Sequence, residues 1–205
     1  KESRLHADLI VNSNYTLDTD IETYGDITVS GGTLDLNGHT LLSHGRMDIS
    51  GGTVDLNGGT LTIKGNLTQS GGTMICNKGT LNVEGDYRIQ TATTGDNGKT
   101  TYNYSDGHLY MTDGADTINV SGNFVVQNNN SPSNTFSAGT LTIKGDFSQL
   151  KGTIGNSYDN FAASGTHKVV LDGNGVQTVT FESNRSHFNA LILTKPQDTG
   201  YTFSR

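Results

Sequence analysis

The chain has 205 residues and a formal net charge of −7 at pH 7, from 13 Lys plus Arg against 20 Asp plus Glu. Its 27 glycines follow no strict three-residue period, which excludes collagen, and the shortage of Glu, Lys and Leu excludes a coiled coil. The acidic balance without a Lys/Arg cluster sets nucleic acid aside, and no apolar run reaches the ~20 residues of a membrane helix.

The N-terminal Lys1-Glu2-Ser3-Arg4 is not a signal peptide, and the abrupt ends read as an excerpt from a longer protein. Along the chain an apolar alternation begins near Leu9, and Asp20-Ile21-Glu22-Thr23-Tyr24-Gly25 closes a first coil. Three copies of a twenty-residue unit follow: DITVSGGTLDLNGHTLLSHG over 26–45, RMDISGGTVDLNGGTLTIKG over 46–65 and NLTQSGGTMICNKGTLNVEG over 66–85. A period of this length is the signature of a repeat architecture. Each unit holds an opening, a middle and a closing segment with apolar residues in the period-two alternation of a strand. In the first unit these are Ile27 and Val29, Leu34 and Leu36, and Leu41 with Ser43; Tyr87 falls at the inward position of Met47 and Leu67.

The corners are Ser-Gly-Gly (Gly31, Gly51, Gly71), then Asn37-Gly38, Asn57-Gly58 or Asn77-Lys78, then a single glycine at 45, 65 or 85. Gly and Asn enter positive φ at little cost, as a sharp corner requires. Three strands and three corners describe one triangular turn, whose apolar face is buried only by stacking on its neighbours. Stacking predicts a ladder of side-chain amides at Asn37, Asn57 and Asn77, with outward threonine columns at Thr33, Thr53, Thr73 and at Thr40, Thr60, Thr80. The rivals are a sandwich, which needs no twenty-residue period, and a propeller, whose blade is about twice as long.

Beyond residue 85 the closing segment returns at Asp116–Gly122 and Gly139–Gly145. Between these copies lie two Asn-, Ser-, Thr- and Gly-rich stretches, 91–108 and 127–138, read as loops inserted at corners so that the ladders stay intact. A terminal coil element spans about 164–195. The fold class is therefore all-β: one β-solenoid domain over 1–205, about eight three-sided coils and roughly 40 Å long.

Among candidate sites, Asp35 and Asp55 fall outward on neighbouring coils, where stacked carboxylates could hold calcium or serve as an acid/base pair. Ile75 at the third coil's equivalent place and the lack of nearby basic residues favour two solvated charges, so no catalytic residue is assigned. Thr60/Thr62, Thr117/Asn119 and Thr140/Thr142 make a partial flat threonine column, but Leu42, Asn82 and Asn119 break it, and threonine is a favourable outward strand residue in any case. Cys76, the only cysteine, is read as a buried thiol at the place of Leu36 and Leu56. The six histidines (6, 39, 44, 108, 167 and 187) show no metal-ligand spacing, and neither metal nor cofactor is expected. Tyr102 and Tyr104 beside the first insert are the candidate ligand-binding residues, since exposed tyrosines next to a flat sheet can stack on sugar rings or a protein partner.

The GGTLxLNGxTLxIxG cadence resembles β-helical regions of large exported, adhesin-like surface proteins of bacteria. So does the C-terminal run Gly165-Thr166-His167-Lys168-Val169-Val170-Leu171-Asp172-Gly173, continued by Gln177–Phe181 and Phe188–Leu193. The resemblance implies a right-handed parallel β-helix in an extracellular or cell-surface setting, and it carries over no catalytic residue. The expected function is a non-enzymatic structural or display module supporting adhesion, with a glycan or a host or cell-surface protein as partner. The alternatives are a carbohydrate-binding or polysaccharide-cleaving β-helix protein and a self-assembling filament unit joined end to end.

Overall fold

The computed structural model describes residues 3–128, 135–152, 159–195 and 200–204. It is a β-solenoid of about 8 turns, with no helix among the described residues. The opening segments form a nine-stranded parallel sheet running from Leu9–Val11 to Tyr201–Ser204, and the closing segments form another from Ser3–Leu5 to Ala190–Leu193. The middle face has six strands, from Tyr15–Thr16 to Thr135–Phe136. The stack thus starts one strand earlier than the alternation near Leu9 indicates, because Ser3–Leu5 pairs with Ile21–Thr23. It also ends one strand later than 195: Tyr201–Ser204 adds to Gln177–Phe181.

Register follows the twenty-residue repeat residue for residue. Leu61 faces Leu41 and Leu81, Leu67 faces Met47 and Tyr87, and Val54 faces Leu34 and Met74. All of these side chains are fully buried. Leu36, Leu56 and Cys76 are likewise at 0% exposure, on successive rungs joined by Leu36 N–H to Asp55 O and Leu56 N–H to Ile75 O. Parallel pairing at every step accounts for the near-continuous core: an inward side chain meets its own kind above and below.

At the Asn-Gly corner both central residues have positive φ, 48° at Asn37 with 79° at Gly38 and 40° at Asn57 with 74° at Gly58. The turn closes by His39 N–H to Leu36 O at 2.8 Å. The three asparagine amides do not bond one another as the amide ladder requires. Asn57 Nδ2 donates to Asp35 Oδ1 at 3.0 Å and Asn77 Nδ2 to Asp55 Oδ1 at 3.1 Å, while Asn37 Nδ2 reaches Leu17 O. A carboxylate two residues back on the preceding coil is the stronger acceptor, so the charge-assisted bond wins over amide to amide.

In the Ser-Gly-Gly corner the left-handed residue is the second glycine, with φ near 65° at Gly32, Gly52 and Gly72. Gly51 and Gly71 are required for another reason: a β-carbon there would sit 2.6 and 2.4 Å from the Ser30 and Ser50 carbonyl oxygens.

A second ladder lies just past the single-glycine corner. Asp8, Asp26, Asn66, Asp86, Asn123 and Asp146 each accept, through Oδ1, the backbone N–H of the equivalent residue one coil on, at 2.7–2.9 Å. Buried glutamines complete the polar accounting. Gln69 donates to Gly72 O and His108 O and accepts the Tyr87 hydroxyl at 2.8 Å.

Past Phe136 the middle face has no further paired strand among the described residues and continues as single bridges, Ser164 N–H to Phe136 O and Ala162 opposite His187, while aromatic rings take over the core. All seven phenylalanines lie at 124 or beyond, and Phe136, Phe147, Phe161, Phe181 and Phe188 are linked by ring contacts of 4.3–5.8 Å. Both sequence inserts leave from the corner between opening and middle faces. Residues 91–108 contain an antiparallel hairpin, Thr91–Thr94 with Thr100–Asn103, instead of a loop. The second insert lies partly outside the described residues, at 129–134.

Lys78 holds φ 65° at a position that is glycine in the two preceding coils. A left-handed L-residue costs about 1–2 kcal/mol, and glycine gives back roughly 0.5–1 kcal/mol in unfolded-chain entropy. Lys78→Gly is therefore expected to raise stability by about 0.5–1 kcal/mol in urea titration, whereas Leu56→Ala lowers it by about 2–5 kcal/mol through a core cavity.

Candidate binding cleft beside the hairpin

The hairpin forms where the sequence offers two threonine-rich alternating segments around Asp96-Asn97-Gly98, a turn signal with Gly98 at φ 73°. Gly98 N–H reaches Gly95 O at 2.9 Å and Asn97 Oδ1 takes the Lys99 N–H at 3.0 Å. Pairing sets Ala92 opposite Tyr102 and Thr94 opposite Thr100, so these four share one face of the ribbon.

That face overhangs the opening sheet of the solenoid. Between them lies a cleft of about 460 Å³, lined on the sheet side by Arg46, Asp48, Asn66, Thr68 and Ser70, and on the ribbon side by Thr91, Ala92, Thr94, Thr100 and Tyr102. Its size falls within the ~300–1,000 Å³ usual for small-ligand clefts.

Tyr102 is held in place by Arg88, whose guanidinium carbon lies 4.4 Å from the ring centroid. Asp86 and Gln90 grip that guanidinium edge-on, at 2.8 Å from Nη2 and 3.2 Å from Nη1, which leaves its flat face for the ring. With 43% of its surface exposed, Tyr102 leaves the rest of the ring open beside the cleft. Arg46 pairs with Asp48 at 3.1 Å and with Asp26 at 3.4 Å, so the floor carries charge of both signs. Tyr104 goes elsewhere: it is half-buried, its N–H is bound by Asn103 Oδ1, and it leads into Ser105, which bridges Asn128. The structure thus separates the two tyrosines and adds Arg88, Thr94 and Thr100, which sequence reasoning passed over. The Asn97-Gly98 turn between alternating threonines was the available signal.

The other candidates resolve as follows. Asp35 and Asp55 do stack in register. Each Oδ1 already takes a backbone N–H two residues on and an asparagine amide from the next coil, which accounts for two of the lone-pair sites a cation would use. On the closing face Thr40, Thr60, Thr80, Thr117 and Thr140 form one column. The neighbouring column is tied by Asn119 Nδ2 to Asn82 Oδ1 at 2.9 Å and Asn82 Nδ2 to Thr62 Oγ1 at 3.3 Å, so the amide ladder of this protein is here.

At the N-terminal end His6, Tyr24 and His44 stack with centroids 4.8 and 4.4 Å apart. His44 and Arg4 both contact Glu22, at 2.8 and 3.0 Å. The His44 hydrogen bond, with Arg4 adding to it, holds the Glu22 carboxyl below its ordinary value. No group of three or more His, Cys, Asp or Glu side chains is gathered for a metal ion among the described residues.

Burial pushes the Cys76 thiol well above its ordinary pKa, so the native protein is expected to resist a thiol-specific reagent at pH 8 and to react stoichiometrically once unfolded in guanidinium. No protein-family model matches the chain, and no curated protein or solved structure is significantly similar to it.

Proposed function

We propose that the chain is a non-enzymatic display module of a bacterial surface or secreted protein, a stiff spacer that presents the hairpin cleft to a glycan. The observation that carries this reading is the projection of a ribbon from an otherwise regular stack, with Tyr102 braced by Arg88 over a cleft rich in hydroxyls. A braced aromatic ring offers an apolar surface to the C–H face of a sugar at little entropic cost. Thr68, Ser70, Thr91, Thr94 and Thr100, with Arg46 and Asp48, supply donors and acceptors for its hydroxyls. Nine rungs at about 4.8 Å make a rod near 40 Å, long enough to hold such a cleft away from its attachment.

Glycan-array screening followed by calorimetry on the wild type, Tyr102→Ala and Tyr104→Ala tests this. Tyr102→Ala is expected to weaken the best glycan by tenfold or more, about 1.4 kcal/mol, and Tyr104→Ala to leave it unchanged. Equal affinity in all three proteins, or no glycan bound by the wild type, removes the cleft from the proposal.

A second reading, self-association, is favoured by the unequal ends of the rod. At the N-terminal end the inward Val11 and Leu17 are 4% and 0% exposed; at the other, Leu193 and Phe203, in inward columns, are 43% and 58% exposed. Beside them an opening of about 800 Å³ is lined by Phe181, Phe188 and Phe203. Light scattering over a hundredfold concentration range is expected to show a mass rising with concentration for the wild type, and a constant monomer mass for a Leu193→Ser/Phe203→Ser double variant. A wild type monomeric throughout excludes this reading.

A further inference from the structure

His167 stands in the Gly-Thr-His run of the C-terminal element, and neither the spacer nor the cleft uses it. It directly precedes Lys168, which pairs with Thr140, so it takes the corner place filled by Gly139 one coil back. Its ring turns into the core at 0% exposure. Phe136 lies 5.3 Å from it, centroid to centroid, and Phe161 6.0 Å. Neither Nδ1 nor Nε2 has a hydrogen-bond partner.

Its backbone joins two coils: the N–H donates to Ser164 O at 3.1 Å, and the carbonyl accepts Asn189 Nδ2 at 3.2 Å from the last rungs. The titratable side chains around it are Asp159, two residues before Phe161 and with its Oδ1 likewise buried and without a hydrogen-bond partner; Asp116, buried two rungs back in the same corner column, its carboxylate held by the Lys78, Thr112 and Asp113 N–H groups; and His187, opposite Ala162. Lys168 beside it is exposed, and so is His187.

We propose that His167 is an acid-operated latch: proton uptake by its buried, unpartnered ring releases the C-terminal coils while the N-terminal repeats stay folded. The cause is desolvation. A charged imidazolium among phenylalanine rings has lost its water and gained no acceptor. Burial alone pushes the group down to about 4 from the ordinary 6.5, with no charged neighbour contributing. The sign follows directly. The unfolded segment binds the proton below about 6.5 and the folded one only below about 4, so folding stability is complete above the higher value and is lost as pH falls through the interval.

The opening constant of this segment therefore rises about 30-fold between pH 7.5 and pH 5, and about 300-fold once pH is well below 4. Opening stays local because each coil of a solenoid contacts only its neighbours, and because beyond Phe136 the described middle face is held by single bridges such as Ala162 with His187 in place of paired strands.

Hydrogen exchange by mass spectrometry on the whole chain, corrected for intrinsic exchange rates, reads the two regions separately. Between pH 7.5 and 5, residues 160–195 are expected to lose about 30-fold in protection, and residues 21–83 to keep theirs. His167→Phe is expected to abolish the pH dependence at 160–195 without altering 21–83. Histidine NMR titration of the wild type gives a readout that needs no variant to fold: the His167 ring is expected to stay neutral down to about pH 4. A ring that titrates near 6.5, or equal acid opening in wild type and His167→Phe, overturns the latch.

Discussion

Successive coils sit on one another at the spacing of a parallel ladder, and at the corner between closing and opening faces that spacing leaves no room for a β-carbon. A β-carbon on Gly45 would lie 2.7 Å from the Gly25 carbonyl oxygen; on Gly65, 2.9 Å from that of Gly45; on Gly145, 2.4 Å from that of Gly122. Contacts this short cannot be relieved by a side-chain rotation, because the obstructing atoms are backbone. Glycine at this corner therefore sets the register of every strand that follows. With register set, inward columns align, the core becomes continuous, and the Asp/Asn acceptors beyond the corner fall beneath the N–H groups they bind. The cleft depends on the same constraint, since the Thr68 and Arg46 positions on its floor are fixed by it.

The constraint also says where the chain can vary. Both inserts leave from the opening-to-middle corner, and the sheet opposite, the closing face, runs through nine strands without a break. The middle face, adjacent to the inserts, is the one whose described paired strands stop at Phe136 and give way to single bridges. There the third wall continues only as single bridged residues, Ala162 opposite His187, and the rings of Phe136, Phe147, Phe161 and Phe188 pack where Leu, Ile and Val pack in the regular coils. His167 is enclosed by this aromatic segment. Regular repeats and irregular end thus differ in what fills them: aliphatic columns in the first, packed aromatic rings in the second.

Much of this was legible in the sequence where a periodic signal existed. The twenty-residue repeat, the inward columns and the interior place of Tyr87 follow from aligning three units. The ladder of Asp26, Asn66, Asp86, Asn123 and Asp146 was equally present, one place past each corner glycine, yet it bonds across coils and shows no local alternation. The Asn37, Asn57 and Asn77 column was visible, but its partners were not, because a carboxylate outcompetes a neighbouring amide only once both are placed in space. The hairpin at 91–103 reads as a loop in the sequence because neither face of its strands is buried, so no core-facing period marks them. The separation of Tyr102 from Tyr104 was out of reach because it depends on Arg88, fourteen places upstream, lying against the Tyr102 ring.

The polar column past the corner glycine has a direction. In every pair the earlier coil supplies the acceptor and the later coil supplies the N–H: Asp26 receives Arg46, Asn66 receives Asp86, Asp146 receives Thr178. A coil that carries Asp or Asn at this place therefore presents an oriented acceptor to its successor, whereas Arg46 interrupts the column. Exchanging Asp or Asn at this place for a residue without an acceptor thus leaves the following coil's N–H, not its own, without its partner.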